Sequence, residues 1–137
     1  MIPKNIKKIL LYLLRNLDLI NINQISKNLN ISVGSAFKIL KKLEESTIVT
    51  SQSLGNAKFY QINLNNKEAV KLCELLLLEE KRNLKSYSKL YSEELQKFQK
   101  AELIVLFGSV LNNKEFNDVD ILFITNKPKE VTKFCLN

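Results

Sequence analysis

Residues 22–46, INQISKNLNISVGSAFKILKKLEES, carry two apolar helical stripes a few residues apart, and this spacing constrains the fold more than any other feature. A short helix over about Asn23 to Asn28 would bury Ile22, Ile25 and Leu29. A second, from Val33 to about Glu45, would bury Ala36, Ile39, Leu40 and Leu43. Between them, Asn30 suits the left-handed turn that Gly usually fills, and Ser32 suits a helix N-cap. Upstream, a helix from Lys4 to about Leu17 aligns Ile6, Ile9, Leu10, Leu13 and Leu14 on one face before Asp18 and Asn21 interrupt it. Downstream, TIVTSQSLGNAKFYQINL (47–64) holds two β-rich runs, Thr47–Ser51 and Lys58–Leu64, around a Leu-Gly-Asn turn.

Two short helices joined by a tight turn, the second polar and basic on its outer face, make a helix-turn-helix, and a hairpin directly after them makes a wing. In ISKNLNISVGSAFKILKKLEES followed by GNAKFYQIN, the chain resembles the winged helix-turn-helix regulators over residues 5–66. The charge agrees with a polyanion partner. Residues 1–66 hold nine Lys/Arg against three Asp/Glu, a balance of +6 out of the chain's +7. Part of the lysine excess is also what an A/T-rich genome gives, since Asn and Ile are abundant as well.

In a major groove, Ser35 and Lys38 stand to reach base edges or nearby phosphates, with Ser32 and Gly34 at the helix start and Lys41 and Lys42 nearer phosphates. Val33 and Phe37 flank the buried stripe, and they either finish the core or meet thymine methyls. Ser51, Ser53, Asn56 and Lys58 on the wing can approach the adjacent backbone or minor groove, while Lys4, Lys7 and Lys8 suit a solvated face equally well. Double-stranded DNA is the expected partner of this half. Winged helices also serve protein contacts alone, so a non-catalytic dimeric interaction module stays open.

Composition closes several other routes. The 137 residues contain no histidine, which excludes Ser-His-Asp and Cys-His catalysis and any His-ligated metal. Cys73 and Cys135 are far apart, outside any metal-ligand spacing, and read as two buried reduced thiols. No apolar run approaches the roughly 20 residues that span a bilayer, and no small-residue cleavage site follows the basic, apolar N-terminus. The expectation is a cytoplasmic protein with no membrane partner.

Residues 67–100 read as a helical connector. Asn65 and Asn66 can cap a long helix from Lys67, in which Val70, Leu72, Cys73 and Leu75–Leu78 cover too much circumference for a surface helix. Leu84, Tyr87, Tyr91, Leu95 and Phe98 return at three- and four-residue steps, with Ser86 and Ser88 as a possible break. Burial against flanking domains and a second copy follows, hence a homodimer presenting paired readers to paired half-sites.

Chemistry is confined to residues 101–137. AELIVLF (101–107) and VDILFIT (119–125) read as buried strands, and Gly108-Ser109 opens the segment SVLNNKEF, which can turn into a short helix. Gly lets backbone approach a ligand, and a helix N-terminus attracts phosphate. Asp118 and Asp120, two apart in an extended run, fall on one side, and their repulsion suits a hard cation such as Mg²⁺. The order strand, Gly-Ser, short helix, Asp-x-Asp, strand resembles the minimal prokaryotic members of the polymerase-beta-like nucleotidyltransferases. The resemblance implies that Gly108 and Ser109 hold the triphosphate of an NTP, as substrate or ligand, and that Asp118 and Asp120 are catalytic and hold Mg²⁺, two ions if active.

Three departures stand against it. The spacer from Ser109 to Asp118 is short, and no basic residue follows Gly-Ser until Lys114. The third carboxylate that the family draws from a later strand is also missing. After Asp120 the only acid is Glu130, where Pro128 starts a helix rather than a strand; Glu115 and Glu130 are the first suspects for a base. Either the chain is a truncated form of a longer protein, or the remnant binds nucleotide or metal without catalysis. Completion in trans has no support in the sequence.

The expected class is α+β, with a winged helix-turn-helix domain (1–66), a connector and dimerisation region (67–100) and an incomplete β-α-β nucleotidyltransferase-like domain (101–137). The expected function is a DNA-binding transcriptional regulator whose C-terminal domain binds Mg²⁺ and nucleotide. An active Mg²⁺-dependent nucleotidyltransferase targeted by its winged helix is the alternative.

Overall fold

In the computed structural model, residues 2–16, 18–112 and 116–136 are described. Leu17, the expected end of the first helix, and Lys114 and Glu115 after the Gly-Ser pair lie outside them. The chain divides into two compact units, 1–78 and 79–137.

The first unit runs α1 (Lys4–Arg15), β1 (Ile20–Asn21), α2 (Ile22–Leu29), α3 (Val33–Glu45), β2 (Val49–Leu54), β3 (Ala57–Ile62) and the start of α4 (Lys67–Arg82). Local chemistry sets most boundaries. Asn21 and Gln24 form a reciprocal capping box at the start of α2. Asn30 ends α2 in the left-handed region at φ 52°, ψ 51°, as its residue type predicts. Ser26 ties that turn, its hydroxyl donating to the Ile31 carbonyl at 2.5 Å. Ser32 then caps α3, accepting from the Ser35 N–H at 3.2 Å. Thr47, after α3, also sits at φ 58°, unusual for a β-branched residue, and the Asn63 and Asn66 side-chain amides donate to its carbonyl.

The sheet has the order β1-β3-β2, all antiparallel. Leu54 pairs with Ala57, leaving a two-residue turn with Gly55 at φ 58°, a place for which glycine is suited. The sequence reading missed β1, whose Ile20 pairs with Tyr60. Ile9, Leu10, Ile25, Leu40 and Val49 centre the core, and α4 adds Ala69 and Leu76 to it.

Full burial of α4 does not occur among the described residues. Leu75, Leu77 and Leu78 leave 61%, 47% and 43% of their surface exposed, because one core can take only one side of a helix. The connector breaks near Ser86, as its sequence suggests: α4 stops at Arg82 and α5 (Ser86–Leu95) begins after a gap, with Ser86 at φ 52°.

The second unit continues through α5, β4 (Leu103–Phe107), a 3-10 turn (Ser109–Asn112), β5 (Asp120–Ile124) and α6 (Pro128–Cys135), which Pro128 starts as expected. β4 and β5 form an antiparallel pair. Phe98 packs edge-on against Phe123 at 5.6 Å between centroids and tilted against Phe134 at 5.0 Å. Of the two cysteines expected to be buried, Cys73 is, and Cys135 at the end of α6 is exposed, because no residue of that helix is fully buried. Tyr87 and Tyr91 meet Phe116 edge-on. The 3-10 turn packs on α5 with Val110 buried.

The expectation of two buried strands is corrected here. Leu103, Val105 and Phe107 from β4 share an exposed face with Leu122 and Ile124 from β5. Both faces of each strand are apolar, and only one is covered among the described residues. No helix is long and apolar enough to cross a membrane among these residues.

Candidate nucleic-acid interface

The outer surface of α3 is built by subtraction. Ala36, Leu40 and Leu43 take the core side, so Gly34, Lys38, Lys41 and Lys42 are left outward and exposed. Val33 and Phe37 join them, exposed by 48% and 53%, so of the two roles open to them the core is not theirs. They stand one helical turn apart at the N-terminal half of α3, the end a recognition helix turns to base edges. Ser32 is exposed, but its oxygen is engaged in capping, and Ser35 is half-buried. Lys41 lies 4.0 Å from Glu45, an exposed pair of little energetic weight.

The wing carries an interaction that sequence reasoning missed. Lys58 donates to Glu44 at 2.8 Å, and Ser51 also donates to the Glu44 carboxylate. The Lys58 ammonium further lies 5.5 Å from the centre of the Tyr60 ring. One carboxylate at the end of α3 thus clamps both strands of the hairpin. The Lys58 hydrogen bond first, then the Ser51 hydroxyl, holds the Glu44 carboxyl below its ordinary pKa. The same hydrogen bond raises Lys58, and burial raises Tyr60. Lys58, expected as a free cation for DNA, therefore carries its counter-charge with it. The signal was faint in sequence: Ser51 and Lys58 lie on one face of a hairpin whose register only the turn fixes. Ser53 opposes Lys58 across the ladder, and both it and Asn56 at the turn are exposed.

In the second unit, the pairing of Phe107 with Asp120 brings Gly108 against the Asp120 side chain. A Cβ at Gly108 would overlap that carboxylate, and the backbone there sits at φ 82°, so glycine is required twice over. Ser109 opens the 3-10 turn and is exposed. Asp118 precedes β5, so strand alternation does not extend to it. Among the described residues no three His, Cys, Asp or Glu side chains cluster in a way that could hold a metal ion. Glu130 is occupied elsewhere, accepting from Lys100 at 2.7 Å.

A search of curated proteins finds no match. Among solved structures, a ZitR variant from Lactococcus lactis aligns with TM-score 0.51 at 22% identity, over 72% of this chain and 64% of its own. The adhesin competence repressor AdcR of Streptococcus pyogenes aligns with TM-score 0.52 at 18% identity, over 72% and 69%. A MepR variant from S. aureus gives 0.51 and 18%, over 70% and 74%. The chain thus spans less than two thirds of the ZitR length, and at these identities the likeness is one of fold. None of these matches is a nucleotidyltransferase. Residues 2–50 match the family model described as winged helix-turn-helix DNA-binding. With α2 and α3 as its helix pair and β2 and β3 as its wing, the N-terminal unit of this chain is a winged helix-turn-helix DNA-binding domain.

Proposed function

We propose that the chain is a transcriptional regulator that docks α3 in the major groove of duplex DNA and acts as a homodimer. The observation that carries this reading is the outward face of α3, where Lys38, Lys41 and Lys42 are all exposed beside side chains the core does not use. A second copy is supported by the exposed Leu75, Leu77 and Leu78 of α4, since paired half-sites need paired readers. The test is the salt dependence of binding. Replacing Lys38, Lys41 and Lys42 with Ala should flatten the slope of log K against log salt by roughly 0.9 for each phosphate that is no longer neutralised. An unchanged slope in anisotropy titrations removes the reading and leaves a non-catalytic interaction module.

A second reading, for the second unit, rests on Asp118, which is exposed, lies outside the β5 pairing and stands two residues from the Asp120 carboxylate that Gly108 faces. In that reading Asp118 and Asp120 hold Mg²⁺, while Gly108 and Ser109 receive the phosphates of a nucleotide. A bound Mg²⁺ would neutralise phosphate charge and polarise the phosphorus for attack. The chain's own part is to position these groups; among the described residues no three acidic side chains cluster there, and Glu130 is tied to Lys100. Losing a base for the acceptor hydroxyl typically costs ~10²–10⁴ in rate. The expectation is therefore nucleotide binding with little or no transfer. Calorimetric titration of Mg²⁺ with and without ATP, beside a labelled-nucleotide transfer assay, tests it. Binding abolished in Asp118→Asn supports the site, and efficient transfer points to the active-enzyme alternative.

A further inference from the structure

Two large apolar side chains on the outer face of a basic recognition helix need an occupant of definite chemistry. Val33 and Phe37 are about half exposed, while their neighbours Ala36 and Leu40 are fully buried, so the core has no room left for them to fill. Gly34 lies between them in sequence, and a Cβ built there meets nothing within 4 Å, so bare backbone adjoins the two side chains. The partner must also accept positive charge, because Lys38, Lys41 and Lys42 border the patch. A duplex meets both demands. Its phosphates meet the lysines, and one group in its major groove is apolar, the C5-methyl of thymine.

The rest of α3 points the same way. Of the side chains that pair with the edges of guanine or adenine, the stretch from Val33 to Glu45 has only Lys, with no Arg, Asn or Gln. Lys38 is the one long donor near the N-terminal half, and a single ammonium discriminates less sharply than a bidentate fork. Direct readout by this helix therefore has little to work with beyond shape and methyl groups. We infer that Val33 and Phe37 read thymine methyl groups in the major groove, so that the preferred duplex is set by the positions of its thymines. The inference rests on the DNA-binding reading above and names the feature of the duplex that is recognised.

The experiment enriches duplexes from a random library with the full chain, then resynthesises the enriched duplexes with deoxyuridine in place of thymidine. That change removes the methyl group and leaves every hydrogen-bonding edge in place. Binding should weaken about fourfold for each methyl touched, roughly 16-fold for two, the effect of exposing one methyl-sized group each time. In Val33→Ala/Phe37→Ala the thymidine and deoxyuridine duplexes should bind equally, with the salt slope unchanged. Both side chains are exposed, so the fold should survive, as a thermal melt would verify. Should the double variant unfold, Phe37→Leu must keep a larger thymidine preference than Phe37→Ser, which retains only the share due to Val33. Equal binding of the two duplexes by the unmodified chain, with normal salt dependence, overturns the inference and leaves the DNA-binding reading standing. Failure to retain any duplex at low salt overturns both.

Discussion

Replacing Glu44 with Gln should steepen the salt dependence of duplex binding while costing little stability. In the clamp, Lys58 lies 2.8 Å from Glu44, with side chains 46% and 33% exposed. Exposed pairs of this kind contribute about 0.2–1 kcal/mol, and Gln keeps one of the two acceptor oxygens that Ser51 and Lys58 use, so the loss stays within that range. The electrostatic consequence is larger. In the wild type Lys58 brings its own counter-charge to the wing; in Glu44→Gln the ammonium stands uncompensated. If the wing lies on the phosphate backbone, one more phosphate is neutralised and the slope of log K against log salt steepens by about 0.9.

The assay is fluorescence anisotropy on a generic duplex across a salt series, with thermal melts alongside. Lys58→Ala should change the wild-type slope little, yet flatten it by about 0.9 in the Glu44→Gln background. A full flattening by Lys58→Ala in the wild type would refute the reasoning, because DNA would then be taking Lys58 from Glu44. An unchanged slope in Glu44→Gln would place the wing away from phosphate. The pH dependence has a definite sign. Glu44 is depressed in the folded state, first by Lys58 and then by Ser51, so its contribution is present above the ordinary glutamate range and is lost as pH falls through the folded value. Lys58 is raised, so its contribution holds below the ordinary lysine range and is lost as pH rises through the folded value. The stability gap between wild type and Glu44→Gln should therefore close on the acid side.

Two further outcomes are expected. Leu77→Glu should convert the proposed dimer to monomers by light scattering, because it places a charge on the exposed apolar face that a second copy would bury; a wild-type chain that is monomeric at high concentration refutes the dimer directly. Gly108→Ala should destabilise the second unit by about 2–3 kcal/mol, combining a positive φ with displacement of Asp120 from its rotamer. Hydrogen exchange should then report faster opening across β4 and β5, and unchanged protection there would refute the placement.

What was legible in sequence was local. The left-handed Asn30, the Ser32 cap, the bounds of α3 and the Pro128 helix start all follow from side chains acting on backbone a few residues away. What was not legible depended on distance in space. β1 has two residues, too few for any period to register, and exists because β3 offers it an edge. Glu44 lay within a charged run of α3, and nothing in that run tells which carboxylate faces the hairpin. Val33 and Phe37 border an apolar stripe, where periodicity leaves burial undetermined. Only the packing of neighbouring elements shows that the core ends before them.

The Gly-Ser and Asp-x-Asp pattern illustrates a subtler limit. The resemblance gives Gly108 a role in admitting phosphate, but the pairing of Phe107 with Asp120 already demands a glycine at the next position, where any Cβ would strike the carboxylate. Packing alone thus accounts for Gly108, and its presence does not discriminate between a ligand site and a strand end. Asp120 is similarly compromised, since removing its charge alters the same packing. Asp118 is the informative residue. It stands outside β5 and is exposed, and strand pairing asks nothing of its side chain. Asp118→Asn should leave the melting of the second unit in place while abolishing Mg²⁺ binding, if a cation site is there. Mg²⁺ affinity equal to wild type in that variant would mean that the pattern records strand geometry and no metal chemistry.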